Sequence, residues 1–274
     1  MGGQQTMEVR TRSRAAGGAP IAGRGIGKRF DSRSGSFTAL DNVSFDIRGG
    51  EFVSLIGPSG CGKSTLMLIA AGLIPPSKGE IVVGGERLTR PLTDVGIVFQ
   101  DHLLLEFRTA LNNVLLQQQI RRLPLAPAKM EAQRLLQKLG IPEAAAGRYP
   151  KQLSGGMRQR VSIARALIHQ PSVLMMDEPF GALDAITRTQ IRHDLELLWL
   201  ETRKTVLFIT HSIEEAIGLS DRVLVMSPNP GRIVDEIIID LPRPRPAVLG
   251  ESPSFVAYAD RIHQAFLSMG VIKY

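Results

Sequence analysis

The chain has 274 residues, 43% of them hydrophobic, enough for a full core in one large domain or two small ones. The longest apolar run, residues 66–74, is too short to cross a bilayer and no apolar signal core opens the chain, so a membrane-spanning or secreted protein is not expected. One cysteine, Cys61, excludes an internal disulfide framework and a cysteine-based zinc site, while 33 basic against 26 acidic residues, a net +7, leave nucleic acid, anionic headgroups or plain solubility open.

Residues 1–19 carry Arg10, Arg12 and Arg14 among Gly, Ala and Gln, with few apolar anchors, and read as a disordered basic tail. Val43, Phe45 and Ile47 then alternate, residues 52–56 are nearly continuous apolar, and 80–83 follow, all with strand composition. Between the last two, Ser64 begins a helix that buries Leu66, Leu68, Ile69 and Leu73 and ends by Pro75-Pro76. Residues 101–150 read as mostly helical, with Leu135, Leu136 and Leu139 on one face, and form a small helical subdomain. Beyond it helices are predicted over 155–169, 183–200 and 213–219, and strands over 173–176 and 206–210. That alternation implies parallel pairing, with ligands at the strands' carboxyl ends. Residues 241–246, Leu-Pro-Arg-Pro-Arg-Pro, read as an extended polyproline II spacer. A last amphipathic helix follows, capped by Ser252 with Pro253 in its first turn, and with Phe255, Tyr258, Ile262, Phe266 and Met269 on one stripe.

Gly57-Pro58-Ser59-Gly60-Cys61-Gly62-Lys63-Ser64-Thr65 follows the 52–56 strand and satisfies the P-loop pattern. Its glycines let successive backbone N–H groups face phosphate oxygens, and the helix that starts there adds its positive end. Lys63 is placed for the β and γ phosphates and Ser64 for Mg²⁺. Asp177-Glu178 end the 173–176 strand, where Asp177 suits the magnesium shell and Glu178 can orient or deprotonate a water. Taken alone, that pair also reads as a solvated acidic turn. Leu153-Ser154-Gly155-Gly156-Met157-Arg158-Gln159 opens a further helix, either a generic capped start or a second anion site.

With these motifs in this order, residues 20–240 resemble the ABC ATPase family. The resemblance implies a P-loop NTPase α/β fold with a mainly parallel core sheet, an antiparallel β subdomain and the helical subdomain at about 101–150. It implies ATP hydrolysis with Mg²⁺, and a head-to-tail pair of subunits in which residues 153–159 reach the nucleotide of the partner's P-loop. Gln100 looks like the Q-loop glutamine, a magnesium sensor, Asp184 in Gly181-Ala182-Leu183-Asp184 like the D-loop aspartate, and His211 like the switch histidine that holds the γ-phosphate and water in line. Phe30 is similar to the aromatic that stacks on adenine, although Phe37 lies nearby and Phe30 could instead be core.

Residues 226–234 and 240–245 resemble the ATPases of bacterial nitrate, sulfonate and taurine importers, whose systems join a permease to a periplasmic solute-binding protein. The partners implied are those two and a second ATPase subunit, self or close relative, with location at the cytoplasmic face of the inner membrane and no nucleic acid. Glu106-Phe107 depart from that family, which often has Pro-Trp in the stretch expected to grip the permease. An exporter ATPase shares the same catalytic residues and stays open. A soluble ABC ATPase acting on nucleic acid is disfavoured by the single nucleotide domain and the short helical insert.

Overall fold

The computed structural model describes residues 17–32, 35–247 and 252–272. In chain order the chain forms β1 (Ile21–Ser32), β2 (Gly35–Ile47), β3 (Phe52–Ile56), α1 (Lys63–Ala70), β4 (Lys78–Val83), β5 (Glu86–Arg87) and β6 (Val95–Val98). Four helices follow, α2 (Ala110–Val114), α3 (Leu116–Ile120), α4 (Leu125–Lys138) and α5 (Gly155–Leu167), and then β7 (Val173–Asp177), α6 (Ala185–Thr202), β8 (Thr205–Thr210) and α7 (Ile213–Leu219). β9 (Arg222–Met226), β10 (Ile233–Ile238) and α8 (Pro253–Ser268) complete it. One sheet is antiparallel, in the order β2-β1-β4-β5; the other runs β10-β9-β3-β8-β7-β6 and is parallel except where β10 meets β9.

The continuous apolar strands are explained by layers on both faces of the parallel sheet. Adjacent residues of a strand point to opposite faces, so Leu174 and Met176 join one core with Phe208, whereas Val173 and Met175 join another with Leu207. The first core is closed by α2, α4, α5 and α6; the second by α1 and the antiparallel sheet. The helical subdomain therefore shares a core with the sheet rather than standing apart. A third cluster packs α7 and α8 over β9 and β10, and it takes the predicted α8 stripe, with Phe255, Ile262 and Phe266 buried and Tyr258 and Met269 alongside. The Ser252 hydroxyl accepts from Phe255 N–H at 3.2 Å, the cap expected for α8.

Two expectations about the chain's margins change. Residues 1–16 of the expected tail lie outside the described residues, but residues 17–19 are packed: Gly18 N–H donates to Arg203 O at 3.1 Å and Ala19 lies against the second core. The 241–246 segment, expected as a solvated spacer, is tied to the fold through its two arginines, while Pro242, Pro244 and Pro246 are exposed. Arg245 is 2% exposed, its Nη1 donating to Ile217 O at 2.6 Å and Ser220 O at 2.7 Å, and its backbone N–H donating to Glu196 Oε2 at 3.0 Å. Arg243 Nη1 donates to the other oxygen of Glu196 at 2.8 Å, Nη2 to Asp221 Oδ1 at 2.8 Å, and the guanidinium lies 4.5 Å from the Trp199 ring centre. Burial, with Arg243 beside it, lowers the Arg245 guanidinium to about 10, so it stays charged at neutral pH. Periodicity could not anticipate this, because two arginines between prolines read as solvated while their buried partners come from α6 and α7.

Candidate active site

Four neighbouring parallel strands, β3, β8, β7 and β6, end on the same edge of the sheet. At or just past their ends stand the P-loop, His211, Asp177-Glu178 and Gln100, so topology alone gathers groups more than a hundred residues apart in sequence.

The P-loop turns from β3 into α1 through backbone that a side chain would obstruct. Gly62 caps α1 at φ 100°, and a Cβ there would lie 2.8 Å from Leu40 Cδ2 and 3.0 Å from Ala39 O. Lys63 is 4% exposed, and its ammonium donates to Gly57 O at 2.8 Å and Pro58 O at 2.9 Å while facing Glu178 Oε1 at 3.8 Å. Its charge is thus held inside the loop. Cys61 is buried and burial pushes its thiol up, which suits a small packing residue and not a nucleophile.

Ser64 Oγ donates to Asp177 Oδ1 at 3.0 Å. A hydroxyl and a carboxylate oxygen brought together are the hard oxygen donors that Mg²⁺ takes. Burial, as the largest influence, pushes the half-buried Asp177 carboxyl up, against the hydrogen bond from the Ser64 hydroxyl, which lowers it. Glu178 sits at φ 43°, a left-handed backbone, with its N–H donating to Ile209 O at 2.9 Å. That kink sends the two consecutive acids to different partners, Asp177 to Ser64 and Glu178 to His211, whose Nδ1 lies 3.0 Å from Glu178 Oε2. Gln100 Nε2 lies beside the D-loop, 4.0 Å from where a Cβ on Gly181 would stand.

Residues 153–159 bond elsewhere. Ser154 caps α5, accepting from Met157 N–H at 3.2 Å, and Arg158 Nη1 turns back to Leu153 O at 2.7 Å. Gly156 is buried against the first turn of α6: a Cβ there would come 2.5 Å from Thr187 Cγ2. Gln159 is fully buried with Oε1 2.6 Å from His102 Nδ1, so it anchors α5 internally, correcting the expectation that it faces a second subunit. Leu153 is likewise buried, which leaves Ser154, exposed, and Gly155, Met157 and Arg158, half-buried, as the accessible members. Asp184 caps α6 through Thr187 N–H at 3.0 Å, a bond that holds its carboxyl below the usual range. Phe30 is 43% exposed near the end of the β1–β2 ladder, opposite Phe37 and 5.0 Å from Lys28 Nζ, so the core alternative fails.

Residues 40–181 match the family described as ABC transporter. The chain belongs to the ABC transporter family. It is an ATP-hydrolysing subunit of that family. It is 45% identical over 233 residues to a Brucella abortus protein named as ATP-binding, covering 85% of this chain and 89% of that one. It is 40% identical over 248 residues to the aliphatic sulfonates import ATP-binding protein of Bacillus cereus, covering 90% of this chain and 96% of that protein. A dimeric structure of a bacterial ABC transporter cassette superposes with a TM-score of 0.73 at 33% identity, covering 81% of this chain and 99% of the cassette. A second structure of that cassette, a post-hydrolysis state, holds ADP and Pi. Among the described residues no helix is long and apolar enough to cross a membrane.

Sequence reasoning did not anticipate that His102 reaches α5: its Nδ1 meets Gln159 Oε1, 57 residues on, and nothing in the spacing of the two residues sets them apart.

Proposed function

We propose that this ABC subunit pairs with a second copy or a close relative around two Mg-ATP and powers a permease that imports a small anion such as nitrate, a sulfonate or taurine. A periplasmic solute-binding protein belongs to the same system, and the subunit works at the cytoplasmic face of the membrane. The observation that carries the import reading is the likeness to a sulfonate-import ATPase along 90% of the chain, well past the residues of the family match.

In this reading Phe30 stacks on adenine, and the 57–65 loop with Lys63 binds the phosphates. Ser64 and Asp177 hold Mg²⁺, with Gln100 beside them; the ion neutralises phosphate charge when bound. Glu178 takes the proton of the attacking water, and its contact with His211 keeps both groups where that water must stand. Ser154 and Gly155 at the α5 N-terminus meet the γ-phosphate bound by the partner, and Asp184 contacts the partner across the interface. Contacts to the γ-phosphate exist only before hydrolysis, which gives closed and open pairs different energies.

The test is purification of the tagged Glu178→Gln protein from native membranes with Mg-ATP, followed by mass spectrometry of every companion chain. Recovery of a multi-span permease with a periplasmic binding protein is expected. Ribosomes or nucleic acid without a permease would overturn the reading.

A further inference from the structure

Glu215 lies in the first turn of α7, four residues beyond His211, and is 5% exposed. Burying a carboxylate is unfavourable unless each oxygen is engaged, and an apolar residue of similar size would serve stability as well. Both oxygens are engaged here. Oε2 accepts from Thr210 Oγ1, and Oε1 faces Arg188 Nε at 3.7 Å. Thr210 Oγ1 accepts in turn from Ser212 N–H at 2.9 Å, and Ser212 Oγ accepts from Glu215 N–H at 3.3 Å. His211 is therefore the middle residue of a closed ring of bonds whose one buried charge is Glu215.

Arg188 supplies the other half. It sits one turn into α6, its backbone N–H bonding to Asp184 O at 2.9 Å and its Nη2 to Leu183 O at 2.9 Å. Its buried Nε makes no hydrogen bond, so the Glu215 carboxylate is what that side of the guanidinium faces. The side chain thus joins the D-loop, residues 181–184, to the ring around His211.

We propose that Glu215 and Arg188 are a positioning pair that couples the D-loop to the switch histidine, so that hydrolysis depends on an ion pair that touches no nucleotide. The pair moves the histidine and not the phosphate cradle. It therefore acts on turnover rather than on ATP affinity. This rests on the switch role given to His211 above.

The experiment measures steady-state ATP hydrolysis and equilibrium ATP binding of the full chain for Glu215→Gln, Arg188→Gln, Arg188→Lys and the Glu215→Gln/Arg188→Gln double variant, with His211→Ala as reference. Each Gln variant should lose about tenfold in kcat, within the range of coupling between contacting charged groups, with KM and ATP affinity unchanged. The double variant should be no slower than the slower single one, and Arg188→Lys should recover most of the rate. Wild-type turnover in Glu215→Gln, or losses that multiply in the double variant, would overturn the proposal. Should Glu215→Gln fail to fold, Arg188→Gln carries the test, since the Arg188 side chain is 37% exposed, and normal turnover there overturns it equally. Wild-type turnover in His211→Ala would instead overturn the switch assignment itself, and an inactive His211→Ala beside an active Glu215→Gln would sink only the positioning pair.

Discussion

The glycine-rich starts of α1 and α5 are built in opposite ways. At the P-loop, α1 begins with a buried lysine, two carboxylates stand within reach, and the backbone is packed against Leu40 and Ala39. At the α5 start, Ser154 is exposed, its hydroxyl is taken by its own helix, and Arg158 folds back onto Leu153 O. The first brings a cation and paired oxygen donors together within one chain. The second offers a helix end and one hydroxyl, which in the proposed reading meet a phosphate bound by a partner.

The largest effect that could break this contrast belongs to Lys63→Ala. Removing a buried ammonium that makes charge-assisted bonds should weaken ATP binding by about 10- to 100-fold, at every protein concentration, in an equilibrium titration; undiminished binding would remove the P-loop from its role. Next comes Gly156→Ala. The added methyl drives into Thr187 Cγ2, and overpacking of this kind costs about 1–3 kcal/mol. Thermal unfolding should show that loss, and Thr187→Ser, which deletes the obstructing carbon, should restore most of it. ATP affinity should not move in either variant, because the strain lies between α5 and α6.

Ser154 allows the two duties of one residue to be separated. Ser154→Ala should lower stability by about 1 kcal/mol through loss of the cap. Ser154→Asp should keep the cap and gain from the helix dipole, yet hydrolysis should collapse because its carboxylate repels the partner's γ-phosphate. Stable protein with normal hydrolysis would break the reading of α5 as a half-site.

The same contrast explains what the sequence made legible. Gly57 to Thr65 and Asp177-Glu178 follow apolar strands, so a local pattern plus parallel pairing already placed them on one edge, and α5, α7 and α8 start at their predicted residues, where cap residues stand. Illegible were residues whose meaning depends on a distant partner. Arg243 and Arg245 become structural only because α6 brings Glu196 beneath them. Gln159 belongs to a motif, yet His102, 57 residues earlier, fixes it inward. Edge strand β10, half-exposed and interrupted by Asp235 and Glu236, gave no clear run to detect.

The smallest expected effect is also the one that separates the two sites most finely. Burial raises the Asp177 carboxyl in the folded chain, so the fold disfavours its ionised form. The resulting destabilisation is absent below the ordinary carboxylate range, grows as pH rises from that range to the raised folded value, and is fully present above it. Asp177→Asn removes the charge while keeping an oxygen that can accept from Ser64. It should therefore unfold at slightly higher temperature than wild type at neutral pH, by well under about 1 kcal/mol, with the gain vanishing as pH falls. Adding Mg-ATP should reverse the order, since the wild-type carboxylate gains a cation and the asparagine does not. Differential scanning calorimetry across pH, with and without Mg-ATP, reads both signs at once. A wild-type advantage at neutral pH without Mg-ATP would mean that Ser64 alone satisfies the carboxylate. The P-loop side would then carry no unmet charge to distinguish it from α5.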